Sequence, residues 1–317
     1  MKIIHFYPKA GGISFLQKFR KHLESNHPII YSYFYRSADL SQELDNRLNH
    51  TDIVIFTAHG DEEYIIGDQV QGKDIHLTLD KLSSLKNSFV FAFSCSTGLL
   101  GKQLCSINNV ISYVGFNDII DLSVNTCESS YKDELSKILK EIYNEALQKS
   151  FDVFITHNYD IDQFSRLISI NLKRAYVSVL SMDFNELCQK FNINYKRVSD
   201  IKFLKKLHGD LLTTVDAVRA RIVVHGEKNF IPWFFIEDDR GRHIEIISKL
   251  EGTTYSEENE YYRYFILALL NFKIGRINRA FEYYKLAVKL YPEYEPLKIF
   301  SFSNYIDVDQ DFVSQIN

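Results

Sequence analysis

Two residues of this 317-residue chain combine reactive side chains with a setting that could put them to use: His59 and Cys95. Cys95 follows the apolar run Phe89-Val90-Phe91-Ala92-Phe93, and His59 follows Ile53-Val54-Ile55-Phe56-Thr57. Runs of this length, rich in β-branched and aromatic residues, read as buried strands. A glycine follows each reactive residue within three positions, at Gly60 and Gly98. If the two strands are parallel neighbours, both side chains leave the sheet at the edge where open α/β sheets place their sites. A free thiol is mostly protonated near neutral pH and needs a base to become a strong nucleophile. Imidazole is the side chain best matched to that task. The pattern therefore proposes a dyad, with Cys95 as nucleophile and His59 as general base and acid.

The elements that must position this pair can be read in order. Lys2 to Tyr7 reads as a strand, Gly11-Gly12 breaks it, and Ile13, Phe15, Leu16, Phe19 and Leu23 recur at helical spacing. Ile29 to Tyr35 reads as a second strand, and Leu40, Leu44 and Leu48 as a short helix. After the His59 strand, Tyr64–Asp68 and Ile75–Leu79 flank Gln71-Gly72-Lys73-Asp74 as a hairpin. A short helix at 82–85 leads into the Cys95 strand, and a helix entered through Thr97-Gly98 leaves it. A helix amino terminus there favours a thiolate. Val110 to Phe116 reads as a fifth strand ending at Asn117-Asp118. Tyr131 to Leu147 reads as an amphipathic helix, with Ser129 or Ser130 as its cap. Strands alternating with helices imply an α/β fold with a mainly parallel sheet flanked by helices.

The pair resembles the caspase-like cysteine peptidases, and within them the bacterial CHAT proteases. The resemblance is carried by His59-Gly60 at one strand end and Ser94-Cys95 at the next, and it covers about the first 130 residues. The run Ser94-Cys95-Ser96-Thr97-Gly98 is similar to the CHAT form Ala-Cys-Glu-Thr-Gly, with two departures. The resemblance implies a caspase-like sheet, cleavage of a protein substrate through an acyl-enzyme, and no cofactor. It also implies an oxyanion hole made by the backbone N–H groups of Gly60 and Cys95. Relatives that cleave after basic residues often carry an acid two positions before the cysteine. Here that position is Phe93, so any acidity in a substrate pocket is left to Asp118 and Asp121.

Bulk properties narrow the classes. Hydrophobic content of 45% and charged content of 25% are those of a globular protein. A net charge of −4 argues against a broad nucleic-acid-binding surface. No apolar run is long enough to span a membrane, and the amino terminus is too short and mixed for a signal peptide. Cys95, Cys105, Cys127 and Cys188 show no paired spacing, which points to reduced thiols and a cytoplasmic setting. His157, Cys188, His208, His225 and His243 lack metal-ligand spacing, and Gly11-Gly12 lacks a phosphate-binding fingerprint.

Beyond the expected protease core at 1–150, residues 151–255 read as a mixed α/β region of unassigned fold. Phe151–His157 is a strand or a helix tail, and Phe164–Val179 is apolar at mixed spacing. Phe184–Phe191 and Ile201–Leu207 read as helices, and Ala220–Val224, Pro232–Glu237 and His243–Ser248 as strands. Residues 256–317 read as a helical region. Tyr261, Ala268, Gly275, Ala280, Tyr284, Ala287 and Pro292 fall at the spacing of one tetratricopeptide (TPR) repeat, and such repeats accompany CHAT domains. A single repeat needs a neighbour to cover its faces, so it is expected to pack on the rest of the chain or on a partner. The combined expectation is a regulated defence or cell-death protease whose protein activator docks on the carboxyl-terminal half. Two alternatives stand beside it. One is a non-catalytic interaction module acting through the TPR-like region. The other is a flavodoxin-like sensor with a pocket at Gly11, Gly12 and Asn117.

Overall fold

The computed structural model describes residues 1–124, 131–157, 159–232 and 240–299. Five parallel strands carry the sheet: β1 (Ile3–Phe6), β2 (Tyr31–Phe34), β3 (Ile53–Thr57), β6 (Phe89–Phe93) and β7 (Ser112–Phe116). Between β3 and β6 the chain forms the antiparallel pair β4 (Tyr64–Val70) and β5 (Lys73–Thr78), as the Gly72 turn predicts. A sixth strand, β8 (Ile222–Gly226), pairs antiparallel with β7, giving the order β2-β1-β3-β6-β7-β8. The sheet is therefore mixed but mostly parallel, with β3 and β6 adjacent at its centre.

Side-chain parity builds two cores. Ile53, Ile55, Phe89, Phe91 and Phe93 face one way, and Val54, Phe56, Val90 and Ala92 face the other. The second face is covered by α2 (Ser37–Asp45), a 3₁₀ turn at Asp80–Leu85 and α3 (Gly98–Ile107), through Leu40, Leu44, Leu82, Leu85, Leu100 and Leu104. The first face is covered by α1 (Gln17–Asn26), α4 (Lys132–Thr156) and α5 (Ile161–Leu180). Its centre is aromatic: Phe164 lies 4.4 Å from Phe154 and 4.9 Å from Phe151, ring centre to ring centre. The Phe151–Phe164 pair is edge-to-face, and aromatic packing of this kind adds to the burial of large apolar surfaces.

The helix read at 131–147 runs on to Thr156, so Phe151–His157 is a helix tail, and residue 150 lies inside α4. Ser129 and Ser130 lie outside the described residues. α5 opens on a capping box, in which the Asp160 carboxylate accepts from Gln163 N–H while the Gln163 side chain accepts from Asp160 N–H. The helices α6 (Phe184–Phe191), α7 (Tyr195–Val198), α8 (Ile201–His208) and α9 (Asp210–Ala220) then lead into β8.

One expectation is overturned. His243–Ser248 is not a strand but part of α10 (Arg240–Glu251). The β-branched Ile244, Ile246 and Ile247 suggest a strand, yet His243, Ile246, Ile247 and Leu250 are the buried residues. That spacing of three, four and seven is one face of a helix. Most of the strand expected at Pro232–Glu237 falls outside the described residues.

The helices α11 (Glu260–Lys273) and α12 (Ile277–Leu290) form a hairpin closed by Gly275 at φ +83°, with Ala268 and Ala280 fully buried. It packs on the rest of the chain, at the amino ends of the strands. Tyr294, before α13 (Glu295–Ile299), donates to Thr51 Oγ1 at 2.8 Å, and Tyr291 donates to Asn49 Oδ1 at 2.8 Å. No helix among the described residues is long and apolar enough to cross a membrane.

Candidate active site

The register of β3 and β6 brings the two sequence-selected residues together at one edge. Thr57 pairs with Phe93, and His59 and Cys95 each stand two residues beyond that pair. Both therefore leave the sheet at the carboxyl ends of the strands; Cys95 packs against the core on the face of Ile55, Phe91 and Phe93, and His59 lies beside Gly12 of the loop after β1. Both are partly exposed.

His59 is oriented by the loop after β1. Its Nε2 lies 2.6 Å from the carbonyl oxygen of Gly11. A carbonyl only accepts, so Nε2 carries the proton and the neutral ring keeps its lone pair on Nδ1. The loop is closed from below by Tyr7, whose hydroxyl donates to Ser14 O at 3.2 Å and Ile13 O at 3.4 Å. Gly12 has φ +83°, and a Cβ there would stand 3.3 Å from His59 Cε1, so backbone conformation and the imidazole both favour glycine.

Cys95 sits on a sharp turn. Ser96 adopts φ +55°, a left-handed conformation uncommon for a residue with a Cβ. Ser96 N–H donates to Asp118 O at 3.1 Å, and Thr97 Oγ1 donates to Ser94 O at 3.1 Å. The buried Tyr113 hydroxyl lies 2.7 Å from Thr97 Oγ1 and 3.0 Å from Thr97 O. α3 starts three residues after Cys95. The thiol accepts Ile120 N–H at 3.2 Å. Burial pushes the thiol above its ordinary range. The Ile120 N–H and the Arg221 guanidinium pull it down, and the carboxylates of Asp121 and Asp118 push it up.

Gly60 lies in the seam between the two loops. A Cβ there would fall 2.3 Å from Ser94 Oγ, 2.6 Å from Thr97 Cγ2 and 3.2 Å from Cys95 O. Gly60 also bridges Ile65 of the hairpin, through Ile66 N–H to His59 O and Asp61 N–H to Tyr64 O, both 2.9 Å. That bridge leaves the N–H of Gly60 itself unused.

The three residues expected to line a substrate pocket fare differently. Phe93 is 5% exposed and packs edge-on against Phe15, Phe116 and Tyr143, so it belongs to the core beneath the site. Asp118 and Asp121 are at the edge but share one cation: Arg221 Nη1 lies 2.8 Å from Asp121 Oδ2, and Arg221 Nε 3.4 Å from Asp118 Oδ2. Asn117 packs on Gly98 rather than on Gly11 or Gly12.

Sequence reading missed Gly11 O, Ile120 N–H and Arg221. The first two are backbone groups with no residue signature, and Arg221 comes from a part of the chain whose place in the sheet was unknown. Among the described residues, no group of three or more His, Cys, Asp or Glu converges as metal ligands would. Compared with family models, curated proteins and solved structures, the chain matches none.

Proposed function

We propose that the chain is a cysteine endopeptidase of the caspase-like, CHAT type, with His59 and Cys95 as its dyad. The observation that carries this reading is the Gly11 carbonyl on His59 Nε2. It holds the imidazole in the tautomer that leaves Nδ1 as a base, at the sheet edge that Cys95 shares. The central pairing of the His and Cys strands, with a hairpin inserted between them, supports the same reading.

In this mechanism Cys95 Sγ attacks a peptide carbonyl carbon as its proton passes to His59 Nδ1. The carbon–sulfur bond forms and the carbonyl oxygen gains negative charge. The N–H groups of Gly60 and Cys95 receive that charge; fixed backbone donors suit it because they need little reorganisation. The tetrahedral intermediate collapses, the C–N bond breaks, and the imidazolium protonates the leaving amine. Water then gives a proton to Nδ1 as it attacks the thioester, which releases the acid and restores the thiol. By its resemblance to bacterial CHAT systems the enzyme is cytoplasmic and regulatory. It acts on a protein substrate in defence or cell death, under a protein activator that docks on the carboxyl-terminal half.

The test is labelling by a peptide-like, cysteine-directed electrophile, in wild type beside Cys95→Ala and His59→Ala, with and without candidate activators. Labelling at Cys95 that falls sharply in His59→Ala is the expected result. Labelling no faster at Cys95 than at Cys105, Cys127 or Cys188 under every condition refutes the dyad and leaves the interaction module as the better reading.

A further inference from the structure

The loop after β7 touches Cys95 and is itself held by a residue from the middle of the chain. Its Ile120 N–H lies on the Cys95 sulfur, and its Asp118 carbonyl takes the N–H of Ser96. Its Leu122 lies 3.9 Å from where a Gly12 Cβ would stand, beside His59. From the other side comes Arg221, the residue just before β8. Its Nη1 donates to the carbonyl of Ile119 and to the Asp121 carboxylate, and its Nε faces the Asp118 carboxylate. Its own carbonyl accepts Asn117 N–H at 2.9 Å. Tyr143 of α4 adds a further tie, donating to Asp121 O at 2.6 Å. One guanidinium thus grips Asp118, Ile119 and Asp121, the residues that surround the donor Ile120.

We infer that Arg221 is the positioning residue of the nucleophile. It holds Ile120 N–H against the Cys95 sulfur and offsets the two carboxylates beside it, so that the junction of α9 and β8 governs how readily the thiol ionises. The inference deepens the protease reading and rests on it for the role of Cys95. A hydrogen bond to the charged form of an acid favours ionisation, and a nearby carboxylate opposes it. Both effects run through Arg221 here, because it fixes the donor and shares its charge between the two acids. The charged and titratable groups around the sulfur are Asp118 and Asp121 of the loop, Arg221 before β8 and Tyr143 of α4. Burial pushes the thiol up, so losing Arg221 removes an opposing influence.

The measurement is the pH profile of Cys95 alkylation by iodoacetamide, read by mass spectrometry of the Cys95 peptide in the full chain. In Arg221→Gln the midpoint is expected to move up by about one pH unit, which makes alkylation about tenfold slower below the midpoint. The plateau at alkaline pH stays, because the thiolate once formed is the same nucleophile. Arg221→Lys keeps a cation but loses the planar fork, and recovers only part of the shift. A folded Arg221→Gln with an unmoved midpoint overturns the inference. If that variant does not fold, an unmoved midpoint in Arg221→Lys does so instead. His59→Ala in the same assay reports on the dyad separately: an unchanged rate near neutral pH there removes the base, while the Arg221 midpoint still stands or falls by itself.

Discussion

Acid should destabilise this fold through one buried histidine. His5 is fully buried on β1, with Nδ1 2.7 Å from the Tyr31 hydroxyl on β2 and Nε2 2.7 Å from Thr57 Oγ1 on β3. Burial, with a smaller contribution from Arg20, pushes its pKa down from 6.5 to about 3. The folded value lies below the unfolded one, so the unfolded chain takes up the proton first as pH falls. Stability from this group is complete above pH 6.5 and drains away towards pH 3. Each pH unit within that window costs about 1.4 kcal/mol, so going from neutral pH to pH 5 removes about 2 kcal/mol. That is a large share of a typical folding free energy of ~5–15 kcal/mol. Urea denaturation of wild type and His5→Gln at the two pH values isolates the effect. Glutamine can still bond both hydroxyls but does not titrate, and the remaining ionisable groups are common to both chains. The expected result is a pH dependence flatter by about 2 kcal/mol in His5→Gln. Curves that fall in parallel, within about 0.5 kcal/mol, would refute the assignment of a neutral, buried His5.

Three further outcomes are expected. Gly12→Ala puts a Cβ at φ +83° against the imidazole of His59; it should cost about 1–2 kcal/mol in denaturant unfolding and slow Cys95 labelling. Tyr294→Phe leaves the buried Thr51 hydroxyl without its 2.8 Å partner and should cost about 1 kcal/mol in thermal or urea unfolding. Cys95 labelling should stay unchanged, because that contact lies at the opposite edge of the sheet. Asp52→Ala removes a buried carboxylate that takes Lys2 N–H at 2.6 Å and Arg47 Nη2 at 2.8 Å; the loss should be about 3–5 kcal/mol, read by urea midpoint.

The first 116 residues were legible because their strands are short apolar runs punctuated by glycine and polar turns, and a parallel sheet leaves such runs buried on both faces. The placement of His59 and Cys95 at one sheet edge followed from strand ends alone. The inward turn of Phe93 was also there to be found, since it shares parity with Ile55 and Phe91. Much of the site's support was not legible. A hydrogen bond from a backbone carbonyl such as that of Gly11 depends on how the chain bends, not on which side chain is present. The Arg221 clamp depends on β8 returning to the sheet after α4 to α9. Ile-rich segments are ambiguous between strand and helix when short, and α10 is the case in which spacing, rather than β-branching, gave the answer. The Ala268, Gly275 and Ala280 spacing pointed directly to the α11–α12 hairpin.

The late return of β8 bears on how the chain is made. β7 leaves its outer edge unpaired until β8 is synthesised, roughly a hundred residues later, which takes several seconds or more at ~5–20 residues per second. An unpaired edge invites pairing with other chains. A nascent chain that has just released β7 thus carries an adhesive edge and lacks Arg221. A fragment ending at residue 150 would keep that edge exposed permanently, and it should aggregate where the chain that includes β8 does not.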